Sequence, residues 1–353
     1  MSDKMYLLDL GIRPWKESML IFHTLARMGV QAVVTVSPDR PFVSVGYFQD
    51  PQQEVDLEYC RRESLPLFRR EVGGGTVYLD SNQIFYHVVW DRDNPAFPRR
   101  IADIYEHLSV APIETYEAFG IETRFREVND IVTVEGRKIA GLGGANIENS
   151  MVFVGSIMMD FDYERMARAL KVPDEKFRDK VFKTMEEHVT TMRRELGEIP
   201  PRKEITAHLH RGYERLLGPL TPVELSDEVV HKMAELARWF DSPEFLYRKV
   251  PRLPKGVKIA EGVEILYGTY KARGGLIRTA QEVRERTIQN IGITGDFTFH
   301  PKEELATLQG SLVDVEREEG EVESAIEGFY EETGADTPGV RPRDFTRAIM
   351  EAR

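Results

Sequence analysis

The segment with the clearest chemical potential is Arg69 to Gln83, RREVGGGTVYLDSNQ. Three consecutive glycines allow positive φ and let backbone N–H groups approach a ligand closely, so the run could form an anion-binding loop. Arg69 and Arg70 precede the glycines, and a guanidinium suits bidentate contact with a phosphate or carboxylate. Taken alone, the glycines fit a tight turn between strands equally well. Neither a P-loop nor a dinucleotide fingerprint fits the segment, because no Lys-Ser, Lys-Thr or G-x-G-x-x-G accompanies the glycines.

A second candidate segment is Arg126 to Gly144, REVNDIVTVEGRKIAGLGG. A short strand and a turn at Glu135-Gly136 lead to Lys138 and another glycine-rich run. A lysine in such a loop can act as a point charge on a transferring phosphoryl or acyl-phosphate group. A hairpin with an exposed basic tip is the alternative interpretation, and this segment alone leaves both open.

The order and spacing of these motifs resemble the lipoate–protein ligase A family, within the fold group of biotin and lipoate ligases. The motifs are R-R-x-x-G-G-G-x-V-x-x-D, N-D-I-V, G-R-K-I-A-G and a strand, MVFVGSIMMD, entered through Gly155. The similarity runs from about Pro14 through Leu217. Beyond it, GGLIR and ITGDFTFHPKEEL resemble the small accessory domain that bacterial members carry fused to the catalytic domain.

The resemblance implies an adenylating ligase that uses ATP and Mg²⁺. The carboxylate of lipoate or octanoate attacks the α-phosphate of ATP, pyrophosphate leaves, and a lysine of an acceptor protein then attacks the acyl-adenylate. The implied acceptors are lipoyl domains of 2-oxoacid dehydrogenases, the glycine-cleavage H protein and lipoate-binding proteins. This chemistry requires cationic and N–H donors around the phosphate and the exclusion of water.

The resemblance also implies individual site residues. Lys138 and Arg70 are the implied catalytic residues, and Asp130 is the implied ligand of Mg²⁺. The implied substrate and ATP site consists of Arg70, Gly73, Gly74, Gly75, Val77, Tyr78, Asp80, Gln83, Asn129, Asp130, Lys138, Gly141 and Gly155. The family's His-Asp, its following Gly-Asn or Gly-Asp, and a later histidine are replaced here by Leu79-Asp80, Asn82-Gln83 and Val154.

Two other functions compete with the ligase. Octanoyltransferases of the same fold group move the acyl group from a carrier protein through a catalytic cysteine and need no ATP. Cys60 is the single cysteine of this chain, and it lies in a predicted helix before the glycine loop rather than at the transferase nucleophile position. The third hypothesis is a non-catalytic acyl-nucleotide-binding protein, which Leu79 and Val154 suit but the intact Lys138 and Arg70 oppose.

The hydrophobic pattern around the motifs predicts an α+β fold on a mixed sheet. Predicted strands are Gln31 to Ser37, Phe42 to Tyr47, Ile84 to Trp90, Ile131 to Val134 and Met151 to Met159. Predicted helices follow Pro14 and cover Arg100 to Phe119, Tyr163 to Leu170, Lys203 to Leu217 and Ser226 to Phe240. We expect a large catalytic domain of the biotin/lipoate ligase type at 1–248, a linker rich in proline and basic residues at 249–258, and a small α+β accessory domain at 259–353.

Composition limits the class of protein further. The 353 residues carry 47 basic and 59 acidic side chains, a net charge of 47 − 59 = −12, which argues against nucleic acid as the main partner. The segment Ser311 to Asp336 holds ten carboxylates and one arginine, and we interpret it as a solvated helix face. No apolar run approaches the ~18 residues that span a bilayer. We expect a cytoplasmic protein, monomeric and without membrane contact.

Overall fold

The computed structural model describes residues 4–248 and 263–353, so the predicted linker at 249–258 lies outside the described residues. The chain divides into two compact units. The larger unit comprises the residues before Gly46 together with Pro51–Glu71 and Thr76–Leu246. The smaller unit comprises the chain from Tyr247 onward together with Gly46–Asp50 and Val72–Gly75. These two short segments, which the sequence analysis placed in the catalytic domain, therefore cluster with C-terminal residues.

A six-stranded mixed sheet and two three-stranded sheets form the larger unit. Its strands are β1 (Met5–Arg13), β2 (Ala32–Pro38), β3 (Phe42–Val45), β4 (Leu67–Arg69), β5 (Val77–Leu79), β6 (Gln83–Asp91), β7 (Thr123–Arg126), β8 (Asp130–Thr133), β9 (Lys138–Gly141), β10 (Gly143–Ile147), β11 (Ser150–Met158) and β12 (Leu220–Pro222). The order of the large sheet is β10-β11-β6-β2-β1-β12, and the small sheets are β4-β3-β5 and β7-β8-β9. Pairs β1–β2 and β1–β12 are parallel, whereas β2–β6, β6–β11 and β10–β11 are antiparallel.

Ten helices accompany these sheets. They are α1 (Trp15–Arg27), α2 (Pro51–Glu54), α3 (Leu57–Arg62), α4 (Ile101–Ala118), α5 (Tyr163–Ala169), α6 (Glu175–His188), α7 (Met192–Leu196), α8 (Arg202–Leu217), α9 (Asp227–Phe240) and α10 (Pro243–Leu246). Alternation along β6 gives the large sheet two buried faces, because successive strand residues point to opposite sides. Tyr86 and Trp90 belong to the core cluster that contains α4 and α8. His87, between them, meets Phe22 of α1 on the other face.

From residue 263 onward, the smaller unit contains a three-stranded antiparallel sheet and three helices. Its elements are β13 (Val263–Ala272), β14 (Gly275–Arg284), β15 (Thr287–Gly295), α11 (Glu304–Ser311), α12 (Glu319–Thr333) and α13 (Pro342–Met350). Helix α12 buries Val322, Ile326 and Phe329, while most carboxylates of the surrounding acidic segment are exposed. The interpretation of this segment as a solvated helix face is confirmed.

The predicted α+β architecture on a mixed sheet is confirmed, and the long helices lie close to their predicted bounds. The structure adds α6, which the sequence analysis missed because its sequence EKFRDKVFKTMEEH is dominated by charged residues and buries no residue. It also adds β1 and β12, an edge pair whose short apolar stretches carry little periodic signal. Within the described ranges, no helix combines the length and apolarity that crossing a membrane would require.

Candidate active site

Lys138 begins β9, directly after the hairpin turn that the sequence predicted. Gly136 lies in this turn with φ +84°, a conformation that glycine adopts without a Cβ penalty. The ammonium group of Lys138 lies 2.6 Å from Oδ1 of Asp130, and Nη2 of Arg126 lies 2.7 Å from the other oxygen, Oδ2. The Lys138 side chain is 38% exposed. The hairpin thus presents a cation that is paired with one carboxylate and still open to solvent.

Two cations keep Asp130 ionised. Burial alone raises the pKa of this carboxyl group, but the charges and hydrogen bonds of Lys138 and Arg126 outweigh burial, so the pKa lies below its ordinary value. Each oxygen of the carboxylate therefore already has a positively charged partner.

Asp130 is also the residue that the family resemblance implies as a ligand of Mg²⁺, and that role stays a prediction. In this structure Lys138 and Arg126 contact its two oxygens, whereas magnesium in phosphoryl-transfer sites is held by one or two carboxylates together with substrate phosphates. Among residues 4–248 and 263–353, no group of three or more His, Cys, Asp or Glu side chains could hold a metal ion. The sequence pattern showed a carboxylate but not which cation neutralises it.

Residues near Lys138 limit the space around its side chain and fix the path of the backbone after its strand. A Cβ placed at Gly141 would lie 3.0 Å from Nζ of Lys138, so the glycine leaves room for the lysine. Nδ2 of Asn129 donates to the carbonyl of Leu142 at 2.9 Å, and the Leu142 N–H donates back to the Asn129 carbonyl at 2.8 Å. Asn129 and Gly141, both predicted site residues, thus lie beside Lys138 and fix the turn into β10.

The sequence analysis missed a second support for Lys138, which comes from the segment before α7. The Thr190 N–H donates to the Lys138 carbonyl at 2.8 Å. Arg137 lies 3.0 Å from Glu195, and the Thr190 hydroxyl donates to the same carboxylate. The ion pair of Arg137 thus anchors the hairpin next to Lys138. No local motif links these distant segments.

Arg70 is almost completely buried. Its Nη1 lies 3.2 Å from the Ser44 carbonyl and 3.4 Å from the Ser44 hydroxyl. Burial lowers the pKa of this guanidinium from its ordinary value to about 10, so the group stays charged at neutral pH. A buried, charged arginine is costly unless it is paired, and such groups cluster at functional sites.

The side chain of Arg69 does not point in the same direction as that of Arg70. It ends β4, is 1% exposed, and donates from Nε to the Leu246 carbonyl at 3.1 Å. Consecutive residues of an extended chain point to opposite sides, so the predicted basic pair divides between two directions. Arg69 ties β4 to the end of α10.

The glycine loop Gly73–Gly75 packs closely against C-terminal residues of its own unit. The Gly74 N–H donates to the Phe297 carbonyl at 3.2 Å, and Gly74 has φ +86°. A Cβ at Gly73 would lie 2.7 Å from the Phe297 carbonyl oxygen and 2.9 Å from Cα of Thr298. Glycine is therefore required here for close backbone approach, and in this structure the Gly74 N–H has a backbone acceptor.

The residues after the glycine loop form a rigid turn between β5 and β6. Val77 and Tyr78 lie in β5, which pairs with β3. Gln83 donates from Nε2 to the Tyr78 carbonyl at 3.2 Å, and Asp80 accepts the Asn82 N–H at 2.9 Å. Burial raises the pKa of Asp80 above its ordinary value and raises that of Tyr78 to about 12. Gln83 and Asp80 therefore shape the turn through contacts with the protein itself.

Gly155 lies in β11 opposite Tyr86 of β6. A Cβ at Gly155 would overlap the Tyr86 ring, 2.6 Å from Cε2. Tyr86 is fully buried, and its hydroxyl has no hydrogen-bond partner among the described residues. The glycine thus makes room for an aromatic side chain in the core of the large sheet.

We expect Gly155→Ala to lower the free energy of unfolding by about 1–3 kcal/mol, the scale of overpacking in a filled core. Urea unfolding monitored by circular dichroism measures the change. Gly328→Ala in α12 is the control, because a Cβ there has open space, and it should leave stability unchanged or slightly higher. Equal stability of Gly155→Ala and the parent chain would show that Tyr86 moves aside at little cost.

Comparison with known proteins places these residues in a family context. Residues 16–214 match the family model described as the lipoyl protein ligase A/B catalytic domain. Subunit 1 of lipoate-protein ligase A from Thermoplasma acidophilum is 31% identical over 159 residues, 42% of this chain and 59% of that subunit. The alignment thus spans less than two thirds of that relative. Octanoyltransferase LipM from Kyrpidia tusciae is 27% identical over 233 residues, 60% of this chain and 85% of the transferase.

Solved structures give the same picture of the fold. A bipartite lipoate protein ligase from Thermoplasma acidophilum, studied with its E2 lipoyl domain, superposes with a TM-score of 0.63 at 25% identity. The matched region covers 72% of this chain and 99% of the archaeal ligase chain. A lipoate-protein ligase A bound with ATP superposes with a TM-score of 0.58 at 21% identity and covers 70% of this chain and 99% of its own. The predicted biotin/lipoate ligase type of fold is confirmed.

Proposed function

The chain belongs to the family of lipoyl protein ligase A/B catalytic domains, and from that membership we propose that it is an ATP-dependent lipoate–protein ligase. In the first step the carboxylate of lipoate or octanoate attacks the α-phosphorus of ATP, the bond to the bridging β-phosphate oxygen breaks, and pyrophosphate leaves. In the second step a lysine ε-amine of the acceptor protein attacks the acyl carbonyl. AMP then leaves, and the amine loses a proton as the amide forms.

Lys138 is the proposed electrostatic catalyst of the first step. Negative charge grows on the phosphate oxygens as the carboxylate attacks, and a preorganised cation stabilises it. The ammonium group at 2.6 Å from Asp130 is solvent-accessible, so phosphate oxygens can replace that carboxylate as its partner. Arg126 stays with Asp130 at 2.7 Å, which keeps the carboxylate neutralised when Lys138 turns to the substrate.

Arg70 is the proposed anchor for the acid substrate. Its Nη1 contacts Ser44, and a planar guanidinium presents N–H donors in a fixed fork that suits a carboxylate or phosphate. The group stays charged at neutral pH although burial lowers its pKa to about 10, so it can pair with an anionic substrate.

The single observation that favours the ligase over an octanoyltransferase is the environment of Cys60. This cysteine, the only one in the chain, is buried in α3 among Val43, Val45 and Leu65. Burial, with a smaller contribution from Asp56, raises the pKa of the thiol to about 11. A cysteine nucleophile reacts as its thiolate and needs a lowered pKa. This environment is typical of a packing residue rather than a nucleophile, which supports the proposed ATP-dependent route.

We expect Cys60→Ala to keep acyl-adenylate formation within about twofold of the parent chain, because removing a packing group outside the site affects stability rather than chemistry. Lipoate-dependent release of pyrophosphate measures this. Iodoacetamide should likewise leave the folded parent protein active. Loss of acyl transfer in Cys60→Ala, with the fold intact, would instead assign the chain to the transferases.

The proposed substrates are ATP, taken as its magnesium complex, and lipoate or octanoate; the proposed acceptor is a lipoyl domain or a protein of the same kind. Support for the acceptor comes from the similar bipartite archaeal ligase, whose structural analysis also covers its E2 lipoyl domain. Pyrophosphate release from ATP in the presence of lipoate tests the activation step. No release with any short or medium-chain acid, in the presence of a folded acceptor, would favour a non-catalytic binding protein.

A further inference from the structure

A buried histidine of α1 contacts the residue that follows Arg70. His23 is fully buried. Its Nδ1 lies 2.8 Å from the Met19 carbonyl, and the backbone N–H of Glu71 donates to its Nε2 at 3.1 Å. A carbonyl only accepts hydrogen bonds, so Nδ1 carries the proton and Nε2 is the acceptor. The two contacts together define one neutral tautomer.

Arg27 contacts the same residue from one helical turn further along α1. Its Nη1 lies 2.8 Å from the Glu71 carboxylate, with the side chains only 18% and 7% exposed. The same Nη1 donates to the His23 carbonyl at 3.2 Å. Residues four apart lie on one face of a helix, so a single face of α1 holds both the backbone and the side chain of Glu71.

These contacts determine the path of the backbone at Arg70. The Arg70 N–H donates to the Val45 carbonyl of β3 at 3.1 Å, and the next N–H, that of Glu71, donates to His23. Two successive amides are thus fixed on two different elements, one a strand and one a helix. Fixing both ends of a residue restricts the direction of its side chain.

The His23 ring is itself held in place. It stacks on Phe22 with centroids 3.8 Å apart and meets the edge of Phe240 at 4.6 Å. A ring enclosed by aromatic neighbours has little freedom to rotate, so the acceptor nitrogen is preorganised toward Glu71.

We propose that His23 is a positioning residue: by accepting the Glu71 N–H, it holds the turn that orients Arg70 for the acid substrate. The role in catalysis rests on the proposed function, while the role in fixing the turn does not. Residues that bind substrate are held in a productive geometry by hydrogen bonds from their neighbours. The buried hydrogen bond of His23 supports Arg70 in this way.

The test compares three variants with a matched control. His23→Leu removes the acceptor, and His23→Gln restores one, since its Oε1 lies near the position of Nε2. His23→Asn reaches the Met19 carbonyl but not Glu71 and keeps a polar group at the site, so it replaces His23→Leu should that variant not fold. His87→Leu is the control, because His87 is also buried and packs against Phe22, whereas among the described residues no hydrogen bond joins it to Glu71.

Hydrogen exchange measured by mass spectrometry on peptides containing Glu71 tests the turn without any assay of activity. Exchange should speed up in His23→Leu and His23→Asn and return toward the parent rate in His23→Gln. His87→Leu should exchange like the parent in this segment. Unchanged exchange in both acceptor-free variants would overturn the proposal.

Kinetics tests the link to Arg70. We expect kcat/KM for lipoate in pyrophosphate release to fall about tenfold in His23→Leu, the scale for one buried hydrogen bond lost, and to recover in His23→Gln. In a double-mutant cycle with Arg70→Met, adding His23→Leu should lower kcat/KM little further, because both substitutions act through the Arg70 guanidinium. Fully additive losses would show that His23 does not act through Arg70. An inactive parent chain would refute the proposed function and leave the exchange result to decide the role in the turn.

Discussion

Replacing Lys138 by alanine should lower the rate of acyl-adenylate formation by at least about 10²-fold, the scale for deleting one charge-stabilising donor. The reason is that Lys138 is the solvent-accessible cation of the β8–β9 hairpin and can exchange Asp130 for the phosphate. Stability should change by less than about 1 kcal/mol, because a partly exposed ion pair contributes little. Single-turnover pyrophosphate release measures the chemical step directly.

Lys171→Ala is the control for Lys138→Ala. Lys171 is exposed and donates to the Gln52 carbonyl at 2.7 Å, and no proposed step involves it. Its removal should leave the rate within about twofold. Near-parental adenylation in folded Lys138→Ala would show that the lysine has been assigned to the wrong role.

Arg70→Met should lower activity much more than it lowers stability. We expect kcat/KM for lipoate to fall about 10²-fold, since charge-assisted contacts to the acid are lost. The free energy of unfolding should fall by less than about 2 kcal/mol, because the contacts with Ser44 are lost while a side chain of similar length fills the space. Pyrophosphate release and urea unfolding measure the two quantities on the same preparation.

Arg62→Met is the matched control, the same substitution at an arginine whose side chain is 62% exposed. It should change neither activity nor stability appreciably. A large loss of stability in Arg70→Met with little change in kcat/KM would identify Arg70 as a structural residue and remove it from the proposed site.

The parts of the fold that local pattern encodes were predicted well. The apolar spacing after Pro14 predicts α1, and the turn at Glu135-Gly136 predicts the hairpin that presents Lys138. Both depend on neighbours within a few residues, where helical and strand periodicity or turn chemistry carries the information.

Contacts between distant segments were not predictable in the same way. His23 and Glu71 are 48 positions apart. Thr190 contacts Lys138 although β11 and α6 lie between them in the chain. The docking of Gly73 against Phe297 joins still more distant residues. Periodicity describes which face of an element is buried, not which element covers it. The same limit explains Asp130, whose partners Lys138 and Arg126 become evident only in the folded hairpin.

We propose that acyl transfer by this chain runs through ATP and not through a cysteine. Intact-mass spectrometry of a lipoyl domain, incubated with the protein and lipoate with and without magnesium ATP, tests it most directly. We expect one lipoyl group to be added to the domain when ATP is present and none when it is absent. Acyl transfer from an octanoyl carrier protein in the absence of ATP, abolished by Cys60→Ala, would contradict it.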